Sequence, residues 1–235
     1  MSWKNGWSQW ISLSDMMTGL MLVFLLISVL VISEIQKQQE NKNRILLEYN
    51  NTQDEILKEL KNAFQEKEKE WEMTIDDDLS IKFTNPDVLF EANISTLTQW
   101  FKNILDQFIP LYLSIINDEK YKNSIIEVRI EWHAWKCLDS EYMNCLTLSQ
   151  DRSNTVLSYI FNHPNYIWIS EENKKKLKFW FTSNGMSNWK NLDSSWKFIY
   201  ESWNEIDPKL SRRVEFKIVT NSETLVKELI NNINN

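Results

Sequence analysis

The chain has 235 residues and a formal net charge of −7, which leaves no basic field for a nucleic-acid partner. Only 3 Gly and 4 Pro argue against a loop-rich or disordered chain. Beyond an N-terminal membrane and stalk region, roughly 160 residues remain, enough for one globular domain with a real core.

Residues 1–9 read as a short tail, and Trp3, Trp7 and Trp10 suit an interfacial aromatic belt. Residues 10–32, WISLSDMMTGLMLVFLLISVLVI, predict a membrane-spanning helix. From Met16 to Ile32 no residue is charged. Those residues rise about 26 Å as a helix, and adding Trp10 to Asp15 gives about 34 Å, against a hydrocarbon core of about 30 Å. Asp15 is the one carboxylate in the segment. At depth such a charge costs at least about 2.5 kcal/mol unless it pairs, meets water or takes a proton, so it points to an ion or proton carrier. The alternative places Asp15 at the interface, capping the helix with Ser12 and Ser14. The run carries Asp15 at its start and ends without a small-x-small cleavage site, so it reads as an uncleaved anchor. Lys4 precedes it, whereas Lys37, Lys42 and Arg44 follow it. By charge count alone, that favours a cytoplasmic C-terminal region.

Residues 33–78 read as a helical stalk, free of Pro and Gly and about 60 Å long if some 40 residues are continuous helix. Leu46, Tyr49, Gln53, Ile56, Leu60, Ala63 and Lys67 follow 3-4 spacing, a weak seam for pairing with a second copy. Asp76, Asp77 and Asp78 lack the alternation of a calcium loop and read as a solvated breaker. Residues 79–235 form the globular domain. Strands are expected at 79–83, 125–132, 178–183 and 214–220. Helices are expected at 94–116 (with Pro110 as a kink), 147–161 and 222–233, and a short helix within the Trp-rich 187–205. The fold class is α+β: a transmembrane helix, a long stalk, and an α/β sandwich with helices on a mixed sheet of about four strands.

Cys137 and Cys145 lie in the loop between a strand and a helix. In a reducing compartment they would be two separate thiols; in an oxidising one they would close a short loop, adding about 2–3 kcal/mol. No His or second Cys pair sits at ligand spacing, so no metal is expected. His133 at a strand end reads as a packed, hydrogen-bonded residue. No nucleophile-base arrangement or phosphate-binding Gly loop is present, so neither an enzyme nor a cofactor is expected. Arg152, expected near the start of the 147–161 helix, is either a surface partner of Asp151 or Glu141 or an anion-binding group at a helix N-terminus. Arg212 or Arg213 could join the same pocket.

Two segments resemble known families. Trp10, then Ser14-Asp15-Met16-Met17-Thr18-Gly19-Leu20-Met21, continuing to Val23-Phe24-Leu25, is similar to the transmembrane segment of MotB-type stator subunits, with its D-x-M-T-x-x-M-x-x-F-L pattern. The resemblance implies that Asp15 is the ion-carrying carboxylate, with Thr18 in the same translocation path. Pro86 to Phe90, the strand ending in His133, Leu148 to Arg152, and Arg212-Arg213-Val214-Glu215 resemble the OmpA-like peptidoglycan-binding domain. That resemblance implies a wall-binding pocket containing Arg152, Leu148, Asn144 and Arg212. The chain departs from the pattern at Ala134 and Trp135, where Thr and Asp are expected, and at Ser211, where Asn is expected. Asn144 lies one residue too far from Leu148. The missing Asp normally meets the diaminopimelate of the peptide stem, and Asp139 or Glu141 could substitute.

Together the segments resemble the B subunit of the Zorya anti-phage defence system. The resemblance implies an inner-membrane complex in which a MotA-like A subunit forms a pentamer around a B dimer, driven by protons or sodium ions. It places the N-terminus in the cytoplasm and the C-terminal domain in the periplasm, against the charge count. A periplasmic domain favours the Cys137–Cys145 disulfide. Other outputs of the same architecture are a flagellar or Tol/Exb-type energy transducer and a purely structural wall anchor.

Overall fold

A computed structural model describes residues 4–84 and 89–221. Pro86 to Val88 of the domain motif and the helix expected at 222–233 lie outside the described residues. Two compact units divide the chain, residues 1–50 and 51–235. Helix α1 (Lys4–Phe64) supplies residues to both.

In the first unit one helical segment, Met16–Arg44, is long and apolar enough to cross a membrane, and its apolar window is unburied within the protein. Leu20, Phe24 and Leu30 are all exposed. A helix that is apolar all round needs lipid or partner helices as its surroundings. Ser28 donates its hydroxyl to the Phe24 carbonyl at 2.8 Å, so this polar group is satisfied within the helix. The side chain of Asp15 lies outside the described residues.

The globular unit begins at residue 51 rather than 79. Ile56, Leu60 and Phe64, spaced four apart on the last turns of α1, are completely buried in its core. The Phe64 ring lies 4.9 Å from Phe108. Ile56 and Leu60 of the expected pairing seam therefore meet the chain's own core, not a second copy. α1 stops at Phe64, and a 3-10 turn follows. A strand absent from the sequence reading comes next, β1 (Met73–Ile75), paired antiparallel with β2 (Ser80–Phe83). Asp76 to Asp78 form the turn between them, where Asp78 accepts from the Ser80 backbone amide at 3.2 Å and pairs with Lys217 at 2.8 Å.

After α2 (Gln99–Ile116) come β3 (Ile125–His133), α3 (Tyr142–Asn162), α4 (Pro164–Ile167), α5 (Glu171–Trp180) and β4 (Phe181–Gly185). The short helices α6 (Ile199–Ser202) and α7 (Pro208–Ser211) then lead to β5 (Arg213–Thr220). The sheet has five strands in the order β1-β2-β5-β3-β4. Among the described residues, only β3 and β4 pair in parallel. The α+β class holds, with one more strand than expected.

The Thr98 hydroxyl accepts from the Phe101 amide and caps α2, which runs through Pro110 to Ile116. The buried face of α2 carries Phe101, Phe108 and Tyr112. Phe83 and Phe216, from β2 and β5 of the sheet, meet Phe108 at 5.5 and 4.9 Å. α3 starts five residues before the expected 147. The strand expected from Lys178 starts at Phe181, because α5, capped by Ser170, holds Lys178 to Trp180 in helix.

Candidate functional site

α3 approaches β4 closely enough that only glycine fits at the contact. A Cβ on Gly185 would sit 2.8 Å from the Gln150 Cα. Gln150 seals the joint: its Oε1 accepts from the Gly185 amide at 2.9 Å, and its Nε2 donates to the Ser183 carbonyl at 3.0 Å. β4 pairs with β3, so this contact sets α3 beside the C-terminal end of β3. A cavity of about 370 Å³ opens there, walled by Phe90, Trp132, Trp135, Leu148, Arg152 and Arg212 among others.

Arg152 is the organising cation. Its guanidinium carbon lies 4.7 Å from the Trp132 ring centroid and 5.1 Å from that of Phe90. Nε donates to the Ile94 carbonyl at 2.9 Å and an Nη to the Glu91 carbonyl at 3.2 Å. Two aromatic faces and two carbonyls hold the planar group without a carboxylate; among the described residues it forms no ion pair. Burial, and then the nearby Arg212 charge, lower its pKa to about 10, so it remains charged at neutral pH. Lys136 lines the same cavity, and Glu141 is an acidic residue in its wall. The space is a cationic pocket with aromatic walls, suited to a carboxylate on a partly apolar ligand.

Of the residues singled out from the sequence, Arg152, Leu148, Arg212, Glu141 and Cys145 line this cavity. Asn144 is exposed and outside the lining. Asp139 stands on a 3-10 turn, Asp139–Glu141, and its side chain lies outside the described residues. Arg152 is ten positions beyond Tyr142, the first residue of α3. The helix terminus is too far to act with it, which removes that element of the anion-site reading. Cys137 and Cys145 are joined in a disulfide that ties the loop after β3 to α3. Phe90, Trp132 and Trp135 were not foreseen as pocket walls.

Behind the cavity lies a buried charge network. Glu131 and Glu215 are directly opposite each other on β3 and β5, as are His133 and Arg213. Two facing carboxylates would repel. Arg213 pairs with Glu215 at 3.1 Å, and Lys190 with Glu131 at 3.4 Å. His133 Nε2 lies 3.2 Å from Glu131 and 3.5 Å from Glu215, without hydrogen-bond geometry to either. Burial and then the Arg213 charge depress the His133 pKa to about 4. Burial would raise the Glu131 pKa, but His133 and Lys190 outweigh it and hold it at about 2. Glu131, His133 and Glu215 present three possible metal-ligand atoms within 4.8 Å of one another. Arg213 and Lys190 already neutralise both carboxylates, so the site is assigned to the protein's own ions.

No family model matches the chain. It is 35% identical over 228 residues to the Zorya protein ZorB of Escherichia coli (strain Crooks), an alignment covering 94% of this chain and 92% of that protein. Among solved structures it is similar to the periplasmic domain of Helicobacter pylori MotB, at 14% identity and a TM-score of 0.40, covering 69% of this chain and 99% of that one. It is also similar to the OmpA-like domain of FopA1 from Francisella tularensis, at 17% identity and a TM-score of 0.36, covering 63% and 80%.

Proposed function

The chain belongs to the Zorya ZorB family, and from that premise we propose that it is the wall-anchored stator subunit of an ion-driven anti-phage complex. The helix at 10–32 spans the inner membrane with its N-terminus in the cytoplasm, and the globular unit stands in the periplasm. An oxidising compartment suits the Cys137–Cys145 disulfide. Two copies place their Asp15 carboxylates inside a pentameric ring of MotA-like partner helices, with Thr18 in the same path. Each Asp15 takes up a cation, a proton in our reading, from one side and releases it to the other. The altered charge changes which partner contacts are favourable and steps the ring.

Rotation against a fixed axle requires the globular unit to be held. The observation that carries this reading is Arg152: a charged guanidinium fixed by two carbonyls and two aromatic rings at a cavity wall, with no carboxylate of its own among the described residues. Because the group is already oriented, an incoming carboxylate meets a donor that loses little further entropy. Peptidoglycan stems supply such a carboxylate on diaminopimelate. The role is binding and force transmission, without enzyme chemistry or a cofactor. The test is co-sedimentation of the detergent-solubilised full chain with purified sacculi. Wild-type protein is expected in the pellet and Arg152→Ala largely in the supernatant; equal retention of both removes the pocket from the reading.

A further inference from the structure

The charge balance of the Arg152 cavity distinguishes one carboxylate ligand from another. Among the described lining residues three are cations, Lys136, Arg152 and Arg212, and one is an acid, Glu141. Arg212 stands close enough for its charge to lower the Arg152 pKa. Glu141 immediately precedes α3, about 16 Å along the helix axis from Arg152. Positive charge is therefore concentrated where a ligand carboxylate is held, and the acid is remote from it.

Aromatic faces are the other place where a ligand cation can settle. The rings of the lining are Phe90, Trp132 and Trp135, and each already faces a cation of the protein. The Arg152 guanidinium carbon lies 5.1 and 4.7 Å from the Phe90 and Trp132 centroids, and Lys136 Nζ lies 5.8 Å from that of Trp135. The segment that carries Lys136 is held in place. The Ala134 amide donates to the Ser187 carbonyl at 2.7 Å, and the Trp135 carbonyl accepts from Asn191 Nδ2 at 2.8 Å.

Diaminopimelate in an uncross-linked stem carries an ammonium on the same carbon as its free carboxylate. The two groups stay within about 3 Å of each other, so the ammonium follows its carboxylate to Arg152 and meets like charge there. In a cross-link the neighbouring stem acylates that amine, and only the carboxylate keeps its charge. Like charges brought together in a partly desolvated site discriminate strongly between otherwise similar ligands. We propose that the Arg152 cavity selects diaminopimelate whose amine is acylated in a cross-link over diaminopimelate with a free ammonium, and that Lys136 and Arg212 set the preference. This rests on the peptidoglycan reading and narrows it to one chemical form of the stem. An anchor so built grips stems joined to the load-bearing mesh rather than loose ones.

The test uses full-length protein in detergent with intact sacculi and two soluble probes: the uncross-linked disaccharide tetrapeptide, and the same molecule acetylated on its one free amine. Acetylation removes the ammonium without adding a second stem, so avidity plays no part. The expected result is that wild type binds the acetylated probe about tenfold more tightly and that Arg152→Ala loses both probes. Lys136→Gln narrows the ratio, and Trp135→Asp, which puts a carboxylate in the wall, brings the free-amine probe level or ahead. If wild type binds sacculi but neither probe, or binds the free-amine probe as tightly as the acetylated one, the selection is overturned while wall binding stands. A ratio unchanged in both Lys136→Gln and Trp135→Asp marks a contact with the acetyl group itself and also overturns it. Failure of wild type to bind sacculi overturns wall binding and, with it, the selection.

Discussion

The Arg152 guanidinium carbon lies 4.7 Å from the centroid of the Trp132 ring, with the charge carried by α3 and the ring by the end of β3. The flat fork is held by stacking and by hydrogen bonds to the Ile94 and Glu91 carbonyls. A lysine keeps the charge but neither stacks nor forks. Arg152→Lys is therefore expected to weaken sacculus binding about tenfold, measured as the amount of sacculi needed for half retention.

Gly185 is the position that lets α3 seat against β4. Gly185→Ala puts a methyl group 2.8 Å from backbone atoms of Ser149 and Gln150, which are not a flexible side-chain end. Chemical denaturation should show a loss of about 1–3 kcal/mol, with weakened sacculus binding in the surviving folded fraction as Arg152 shifts with its helix. An unchanged midpoint would mean that the helix gives way at no cost.

Acid should destabilise the globular unit in two windows. The His133 pKa is about 4 in the folded protein against an ordinary 6.5, so the unfolded chain binds the extra proton first as pH falls. Its contribution is intact above pH 6.5 and is lost between 6.5 and 4. Glu131, at about 2 against an ordinary 4.5, adds a second loss between 4.5 and 2. Melting temperature measured from pH 7 to 4 should fall for wild type, and the slope between 6.5 and 4.5 should flatten in His133→Gln.

The disulfide closes a loop over a sequence separation of 8 residues. A loop of that size is worth about 2–3 kcal/mol. Denaturation with and without reductant should show that loss in wild type, and Cys137→Ser should show it in both conditions.

Much of this architecture was legible in the sequence, and the misses have physical causes. The strand read at 125–132 and the one read at 214–220 each match within a residue, because alternating β-branched and aromatic residues leave little choice. β1 was lost inside the stalk: residues 33–74 hold no Pro or Gly, and pairing of Met73–Ile75 with β2 is what draws it into the sheet. The 3-4 spacing of Ile56 and Leu60 was real, but periodicity says that a face is buried and not what buries it. Arg152 and Leu148, singled out through the motif, line the cavity. Phe90 and Trp132 lay within the resembling segments without being read as pocket walls, because the cavity gathers them from separate parts of the chain. Glu131 was not singled out within the strand read at 125–132; its pairing with Lys190 in the buried interior appears only in the fold.

The central claim, an ion-driven subunit, comes down to one oxygen on Asp15. Asp15→Asn keeps size and polarity and removes the ability to load and release a proton. In cells carrying the whole defence system, plaque counts under phage challenge should show protection abolished, with membrane insertion and protein level equal to wild type. Full protection by Asp15→Asn would contradict the account and leave the chain a wall anchor whose membrane helix carries no current.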